Sequence, residues 1–504
     1  MHSLLAAYAR WKHRRELSLD WEAQQRGVLR SLMHHARGSQ FFSQHDLQVG
    51  LSVRAYQANV PLRRFQELHA DYLENNQASD AGLLTDRPVK FLLESSGTTS
   101  GITRSYPLTM AGLRGFQKTA SAQVLSTIGR LGHARPMMRP FLSLSDYRPL
   151  REVSSGVYQG PITDVLASTV PWFVQRKSLK LPGRDDSIVD KMRDLVAMTL
   201  KKDIGVLTGM TSWLLRFVEM AKLETGKTSL REIWPTLQVI GHGGVPAHIY
   251  ADTLNAEFGE HSPPFVLAES YAASEGYIAF GDALLDGALR LSCHNGIFYE
   301  FIPREAYGQP NPPRLGVHEV VEGQEYAIAL TTPSGLWSHI IGDVVKFTHA
   351  KHKTLEVVGR LTASIEVWNE HLTESDLDLA VRALSREHGL TFLNYHLGPR
   401  PYDDASGRGS YRFIFALEDG STMSATEIGE RIDRKLADLN HYYKKIRLDG
   451  GLLDAPEVYR VEPQFFEAWL AERPGGTLQR KVPRVEGTGK IAEELVSRLM
   501  CSND

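Results

Sequence analysis

The chain has 504 residues, 42% of them hydrophobic and 23% charged. That is enough to bury a large core and, by length, to form about three domains. Its 57 basic and 59 acidic side chains leave a net charge of −2. A balance so near neutral argues against nucleic-acid and anionic-membrane partners, which are held by clustered basic charge. The two cysteines, Cys293 and Cys501, exclude a disulfide framework and a multi-thiolate zinc site. The opening MHSLLAAYARWKHRREL has too short an apolar stretch for a signal peptide. No uncharged apolar run approaches the roughly 18 residues that span a bilayer. A cytoplasmic protein is expected.

The first 75 or so residues read as helical, with Trp21, Gln25, Val28, Leu29 and Leu32 at helix spacing. From Val89 to about Gly281, strand and helix signals alternate. VKFLLE, IGVLTG, LQVIGHGG and FVLAES each read as a strand running into a small or polar loop. Trp213, Leu214, Phe217, Met220 and Ala221 mark one face of a helix between two of them. Alternation of this kind predicts a mostly parallel α/β sheet. The texture then changes to the short strands NGIFYEFIP, QEYAIALTT, DVVKFTH and TLEVVGR, as in an antiparallel sheet or partial barrel. Beyond Arg360, Thr373 and Asp376 form a capping box opening a helix through Leu377, Val381 and Leu384. YRFIFALE reads as a strand, and Ile428, Ile432, Leu436 and Leu439 mark a second amphipathic helix. The fold class is therefore α/β: a large N-terminal α/β domain with an antiparallel annex (1–360), a hinge (361–366), and a small mobile α+β C-terminal domain (367–504).

Ligands of open α/β sheets bind at loops following the carboxyl ends of the parallel strands, and three such loops stand out. The first, Glu94-Ser95-Ser96-Gly97-Thr98-Thr99-Ser100-Gly101, directly follows the strand VKFLL and precedes a helical stretch. Hydroxyls and backbone N–H groups here can converge on a phosphate chain without Cβ crowding; the alternative is a plain surface loop. It is not a P-loop, since GxxxxGK[ST] occurs nowhere. The second, Gly241-His242-Gly243-Gly244-Val245-Pro246, has two glycines of a dinucleotide fingerprint but lacks the third. It suits close approach of a flat ring, and His242 reads as a packed histidine. The third is Tyr271-Ala272-Ala273-Ser274-Glu275-Gly276-Tyr277, where Glu275 is either a solvated acid or a magnesium ligand. Cys293-His294 is expected in a strand, where adjacent side chains diverge and form no dyad. His349 and His352 are expected to be solvent-exposed.

Together these loops resemble the adenylate-forming superfamily that includes firefly luciferase. More closely, they resemble the acyl acid amido synthetases, which include the plant auxin- and jasmonate-conjugating enzymes and bacterial relatives. The resemblance rests on SSGTTSG, HGGV, YAASEG, NGIFYEFIP, GLWSHIIGDVVKFT followed by VVGR, LNHYYKKIR and LQRKVPR, in order from Ser95 to Arg484. It implies attack of a carboxylate on the α-phosphate of ATP, with loss of pyrophosphate, and then displacement of AMP by an amine, usually of an amino acid. It further implies that Ser95, Ser96, Thr98 and Thr99 hold the phosphates and that Gly97 permits the turn. Gly243, Gly244 and Val245 line one side of the adenine and Tyr271 the other. Ser274 approaches the adenine or α-phosphate, Glu275 holds Mg²⁺, and Asp343 takes the ribose hydroxyls beside Arg360. Lys481 reaches the α-phosphate when the small domain closes. The sequence departs from the family at Arg104, where a lysine is usual, and at Trp368-Asn369-Glu370, where Phe-Gly-Glu is usual. Two other outcomes are weighed: transfer to a thiol such as coenzyme A or a carrier protein, and a non-catalytic nucleotide- or acyl-binding homologue. The identities of acid and amine are not legible in the sequence.

Overall fold

The computed structural model describes residues 2–73, 80, 82–95, 104–144, 149–179, 188–243, 265–361, 364–365, 367–368, 370, 372–403, 408–417, 423–471 and 482–501. The chain divides into two units, one built from most of the sequence up to Leu361 and a second containing Thr362–Asp504. Among the described residues no helix is long and apolar enough to cross a membrane.

The larger unit opens with helices. In the helix Trp21–His34 the buried residues Trp21, Gln25, Leu29 and Leu32 recur at the spacing read from the sequence, and the Asp20 side chain caps the first turn. Gln25 is polar yet buried because its amide is fully used. It donates to the carbonyls of Cys293 (2.8 Å) and Ile297 (3.0 Å) and accepts from the Tyr299 N–H (2.9 Å).

The first strands are β1 (Val89–Ser95), β2 (Arg104–Thr109), β3 (Phe141–Ser143), β4 (Arg151–Ser154) and β5 (Val157–Gly160). Then come β6 (Ser178–Leu179), β7 (Val206–Met210), β8 (Val239–Gly243), β9 (Val266–Ala273) and β10 (Gly276–Asp282). β11 (Ala288–Leu291), β12 (Phe298–Pro303), β13 (Glu325–Thr331), β14 (His339–His349) and β15 (Thr354–Arg360) complete the unit. Among the described residues they form a four-stranded sheet, β2-β1-β5-β4, and an eleven-stranded one, β12-β13-β14-β15-β11-β10-β9-β8-β7-β3-β6.

The sheet differs from the sequence expectation in two respects. β1 stands outside the large sheet, and the segment after the Ser/Thr loop is an antiparallel partner strand, with Ser95 opposite Arg104. Pro107 explains this: it cannot sit inside a helix and forces Tyr106 into extended backbone, so the helix Met110–Leu131 begins only after Thr109, its N-cap. Among the described residues, the parallel part of the large sheet is β6, β3, β7, β8 and β9, and β1 pairs in parallel with β5 in the small one. β9 is the switch, parallel to β8 and antiparallel to β10, so the antiparallel annex continues the same sheet. Residues of β10 through β15 share one apolar cluster, including Ile278, Leu291, Phe301, Ile328, Val345 and Leu355. Strands so far apart in the order meet around one core only if the sheet curls toward a partial barrel.

A buried ion pair ties the N-terminal helices to this sheet. The Arg314 guanidinium meets the fully buried Glu300 carboxylate in a fork, Nε to Oε1 at 2.8 Å and Nη2 to Oε2 at 3.1 Å. Its Nη1 donates to the carbonyls of Gln57 (2.7 Å) and Val60 (2.6 Å), and Ser338 joins through its hydroxyl. Arg314→Met leaves a buried carboxylate uncompensated and is expected to cost about 3–5 kcal/mol. Urea unfolding of that variant and of the milder double replacement Glu300→Leu/Arg314→Met checks this.

His242 lies within β8, buried, and its Nδ1 has no hydrogen-bond partner among the described residues. Burial alone lowers its pKa to about 4. The unfolded chain takes this proton near pH 6.5, so between these values the unfolded state binds more protons. Stability therefore falls as pH falls through that window, by about 3 kcal/mol in full. His242→Gln is expected to flatten the acid limb of the urea midpoint between pH 6.5 and 4.

The smaller unit has a hairpin of β16 (Ser364–Ile365) and β17 (Leu372–Thr373). It also has a three-stranded sheet of β18 (Phe392–Asp403), β19 (Arg408–Leu417) and β20 (Glu457–Val461), with β19 in the centre. The capping box of Thr373 and Asp376 opens the helix Glu374–His388, and Ile428, Ile432 and Leu436 are the buried side of Ala425–Leu439. Leu495 and Ala492 of the helix Lys490–Cys501 pack into a core with Ile414, Ala416 and Trp469.

Candidate active site

The described candidates gather at the carboxyl ends of β8 and β9. Gly243 closes β8 and lies opposite Ser270 of β9, one residue before Tyr271. A Cβ on Gly243 would fall 2.6 Å from the Ser270 carbonyl oxygen, so only glycine permits this approach. The segment read as a loop from Gly241 is thus strand through Gly243. Likewise Tyr271 belongs to β9, and the third loop shrinks to the two-residue hairpin turn Ser274-Glu275 between β9 and β10. The strand continues past Ser270 and into antiparallel pairing with β10, which a reading of isolated strand signals does not register.

The turn is anchored to the end of β1, where the Ser/Thr loop begins. The Ser274 hydroxyl donates to the Glu94 carbonyl at 3.3 Å. The Glu275 side chain is only 10% exposed and lies 3.8 Å from Nε2 of the buried His339. Burial works against its charge, but the facing His339 and the Tyr106 hydroxyl outweigh it and hold the carboxyl below its usual range. The Tyr106 and His339 rings meet edge to face, with centroids 5.7 Å apart. Neither residue was among the sequence candidates. The available signal was a histidine inside the otherwise apolar strand WSHIIGDVV.

Asp343 lies in β14, 7% exposed and directly opposite Arg360 of β15. Ile341, Gly342 and Asp343 together face Ile328 of β13, because Ala329 pairs with Ile340 and Ala327 with Val344. This bulge puts Gly342 at φ +94°, a conformation that favours glycine, and it re-aims the neighbouring aspartate. The Tyr271 hydroxyl donates to Asp343 Oδ2 at 2.6 Å. Four strand steps separate β9 from β14 in the sheet order, about 19 Å if the sheet were flat. The bond exists because the sheet curls.

The structure thus brings Gly243, Tyr271, Ser274, Glu275, Asp343 and the backbones of Ser95 and Arg360 into one linked set. Ser96, Gly97, Thr98, Thr99, Gly244, Val245 and Lys481 lie outside the described residues. The chain just beyond Lys481 is firmly held within its own unit. Val482 is buried, the Pro483 carbonyl bonds His396 Nδ1 at 2.7 Å, and the Arg484 carbonyl accepts from the Leu397 N–H at 2.8 Å. Glu370 is fully buried, its carboxylate taken by the Trp368 N–H at 2.7 Å and the Tyr411 hydroxyl.

Other readings resolve as packing. Cys293 and His294 sit in a turn after β11 and not in a strand; burial pushes the Cys293 thiol up to about 12, and His294 stacks on Trp21. His349 is exposed, as expected, and pairs with Glu322; it stacks at 4.3 Å on His352, which is half-buried. Among the described residues no group of three or more His, Cys, Asp or Glu is placed to hold a metal by itself. Mg²⁺ commonly takes one or two protein carboxylates and completes its shell with phosphate oxygens and water. The ionised Glu275 fits one such ligand.

Comparison with known proteins follows this geometry. Residues 12–182 match the GH3 family N-terminal domain, 291–360 the central domain and 375–488 the C-terminal domain of that family. The indole-3-acetic acid-amido synthetase GH3.8 of Oryza sativa subsp. indica is 23% identical, over 97% of this chain and 92% of its own length. A solved acyl acid amido synthetase, AtGH3.15 in complex with 2,4-DB, superposes with a TM-score of 0.60 at 17% identity, covering 99% of this chain and 97% of its own. The structure of 2-hydroxyisobutyryl-CoA ligase with 2-HIB-AMP and CoA shares the fold, with a TM-score of 0.58 at 14% identity over 97% of this chain and 94% of its own. The chain belongs to the GH3 family and is an amide-forming ligase.

Proposed function

We propose that this ligase activates a carboxylic acid with ATP and passes the acyl group to the amine of an amino acid. A carboxylate oxygen attacks the α-phosphorus, the bond to the β-phosphate breaks, and pyrophosphate leaves. The amine nitrogen then attacks the acyl carbon, AMP departs, and the nitrogen gives up a proton. The observation that supports this reading is the set linked by Tyr271, Asp343, Ser274 and Glu275 at the carboxyl end of β9. It offers a buried carboxylate for ribose beside an aromatic ring, and a second carboxylate next to the start of the Ser/Thr loop.

In this scheme Gly243, Gly244 and Val245 lie on one side of the adenine and Tyr271 on the other. Asp343, beside Arg360, accepts from the ribose, and Ser274 faces the adenine or α-phosphate. Ser95, Ser96, Thr98 and Thr99 hold the phosphates, Gly97 gives the turn its freedom, and Glu275 holds Mg²⁺. When bound, the metal supplies Lewis-acid stabilisation of phosphate charge. His339 and Tyr106 keep Glu275 ionised for that task. Lys481 brings a mobile point charge to the α-phosphate when the smaller unit, hinged at 361–366, closes. The low cysteine content fits a cytoplasmic setting.

Pyrophosphate release from Mg²⁺ and ATP is expected only with a suitable carboxylic acid present, and hydroxylamine trapping across a panel of acids identifies it. Release of ADP and phosphate would mean an acyl phosphate instead. Discharge of the trapped adenylate by thiols but not by amino acids would move the acceptor to the thioester class.

Lys481→Ala is expected to slow adenylate formation roughly 10²-fold or more, the loss typical of one electrostatic donor. ATP affinity and melting temperature should stay unchanged. Stopped-flow pyrophosphate release and equilibrium ATP binding separate the two effects.

A further inference from the structure

We propose that Tyr271 is a positioning residue that couples two parts of the nucleotide subsite: its hydroxyl sets the Asp343 carboxylate for ribose while its ring faces the base. This rests on the placement of Asp343 and Tyr271 at the nucleotide.

A carboxylate buried to 7% exposure has to be hydrogen-bonded, or its desolvation is uncompensated. The Tyr271 bond at 2.6 Å is short, as expected of a hydroxyl on an ionised acceptor. A carboxylate has about four acceptor sites, and the tyrosine hydroxyl takes one of them. The aspartate's own backbone does not determine its aim alone. It sits in a bulge beside Gly342, where pairing with β13 is interrupted. One orienting contact comes from the other side of the curl, from β9. Tyr271 is itself fixed there, partly buried against the apolar cluster of β10 through β15. A rigid ring on one strand thus carries the angular information for a carboxylate on a distant one. Ser270, the residue before Tyr271, lies opposite Gly243, where the missing side chain lets strands β8 and β9 approach closely. With the nucleotide placed as above, the hydroxyl and the ring face act on different parts of it.

The experiment compares binding of ATP and of 2′,3′-dideoxy-ATP to the full chain by calorimetry, for the wild type, Tyr271→Phe, Tyr271→Leu and Asp343→Ala. Tyr271→Phe keeps the ring and its packing, and melting temperature verifies that it folds. It is expected to bind ATP about tenfold more weakly, the loss of one charge-assisted hydrogen bond, while its affinity for the dideoxy nucleotide stays within about twofold of wild type. Tyr271→Leu, lacking the ring as well, should weaken both nucleotides. Unchanged ATP affinity in Tyr271→Phe, or an equal loss for both nucleotides, overturns the proposal. Asp343→Ala separates the underlying reading. If it loses ATP selectively while Tyr271→Phe does not, only the coupling falls. If it binds both nucleotides as wild type does, the ribose assignment falls and the coupling with it.

Discussion

The curl of the eleven-stranded sheet is the constraint on which the candidate site depends. Right-handed twist accumulates along any long sheet, and antiparallel strands with one apolar face can wrap that face around a common core. Here the strands β10 through β15 close around Ile278, Phe301, Val345 and their neighbours. Wrapping in this way carries β14 back toward β9 and sets Asp343 against Tyr271. Without that apolar core the two residues would be separated by the width of four strand steps. Hydrophobic burial thus does positional work for polar chemistry at the rim of the same barrel.

Two buried ionic clusters hold the N-terminal helices against this curled sheet. One is the Glu300–Arg314 fork, which also engages the carbonyls of Gln57 and Val60. The other centres on Asp282, which receives Arg290 Nε at 2.6 Å, His13 Nε2 at 2.9 Å and the Ser126 hydroxyl. Burial raises the pKa of that carboxyl, but these three partners outweigh it and hold it at about 2. Buried pairs of this kind are a poor source of net stability, because desolvation offsets much of the attraction. Their effect is on register: an Arg fork accepts one geometry, whereas apolar contacts tolerate sliding. The first of them bears on the site, since Ser338, which contacts both members, immediately precedes His339 at the start of β14.

Local signals were legible wherever a single element decides its own fate. The helix Trp21–His34, the capping box at Thr373 and the buried side of Ala425–Leu439 follow from period and capping chemistry alone. The change of texture from parallel to antiparallel strands was also legible, because runs of buried residues and short turn-bounded strands differ in composition. Misreadings arose where the deciding partner is remote in sequence. The segment after the Ser/Thr loop is a strand because Pro107 bars a helix and β1 offers its edge. Ser274-Glu275 is a tight turn because β10 pairs back on β9.

The sequence by itself determined the family motifs, the helices with clear period and caps, the change from parallel to antiparallel strand texture, and the acidic, aromatic and small residue types of the candidate loops. Those properties are linear: they depend on spacing, capping and composition along one segment. The tertiary structure alone decided that His339 and Tyr106 hold Glu275 ionised, that the Gly342 bulge re-aims Asp343, and that Tyr271 reaches it. Each of these joins residues more than 60 positions apart or depends on which strand lies beside which. Burial and charge pairing are properties of a neighbourhood, and a neighbourhood exists only once the sheet has curled.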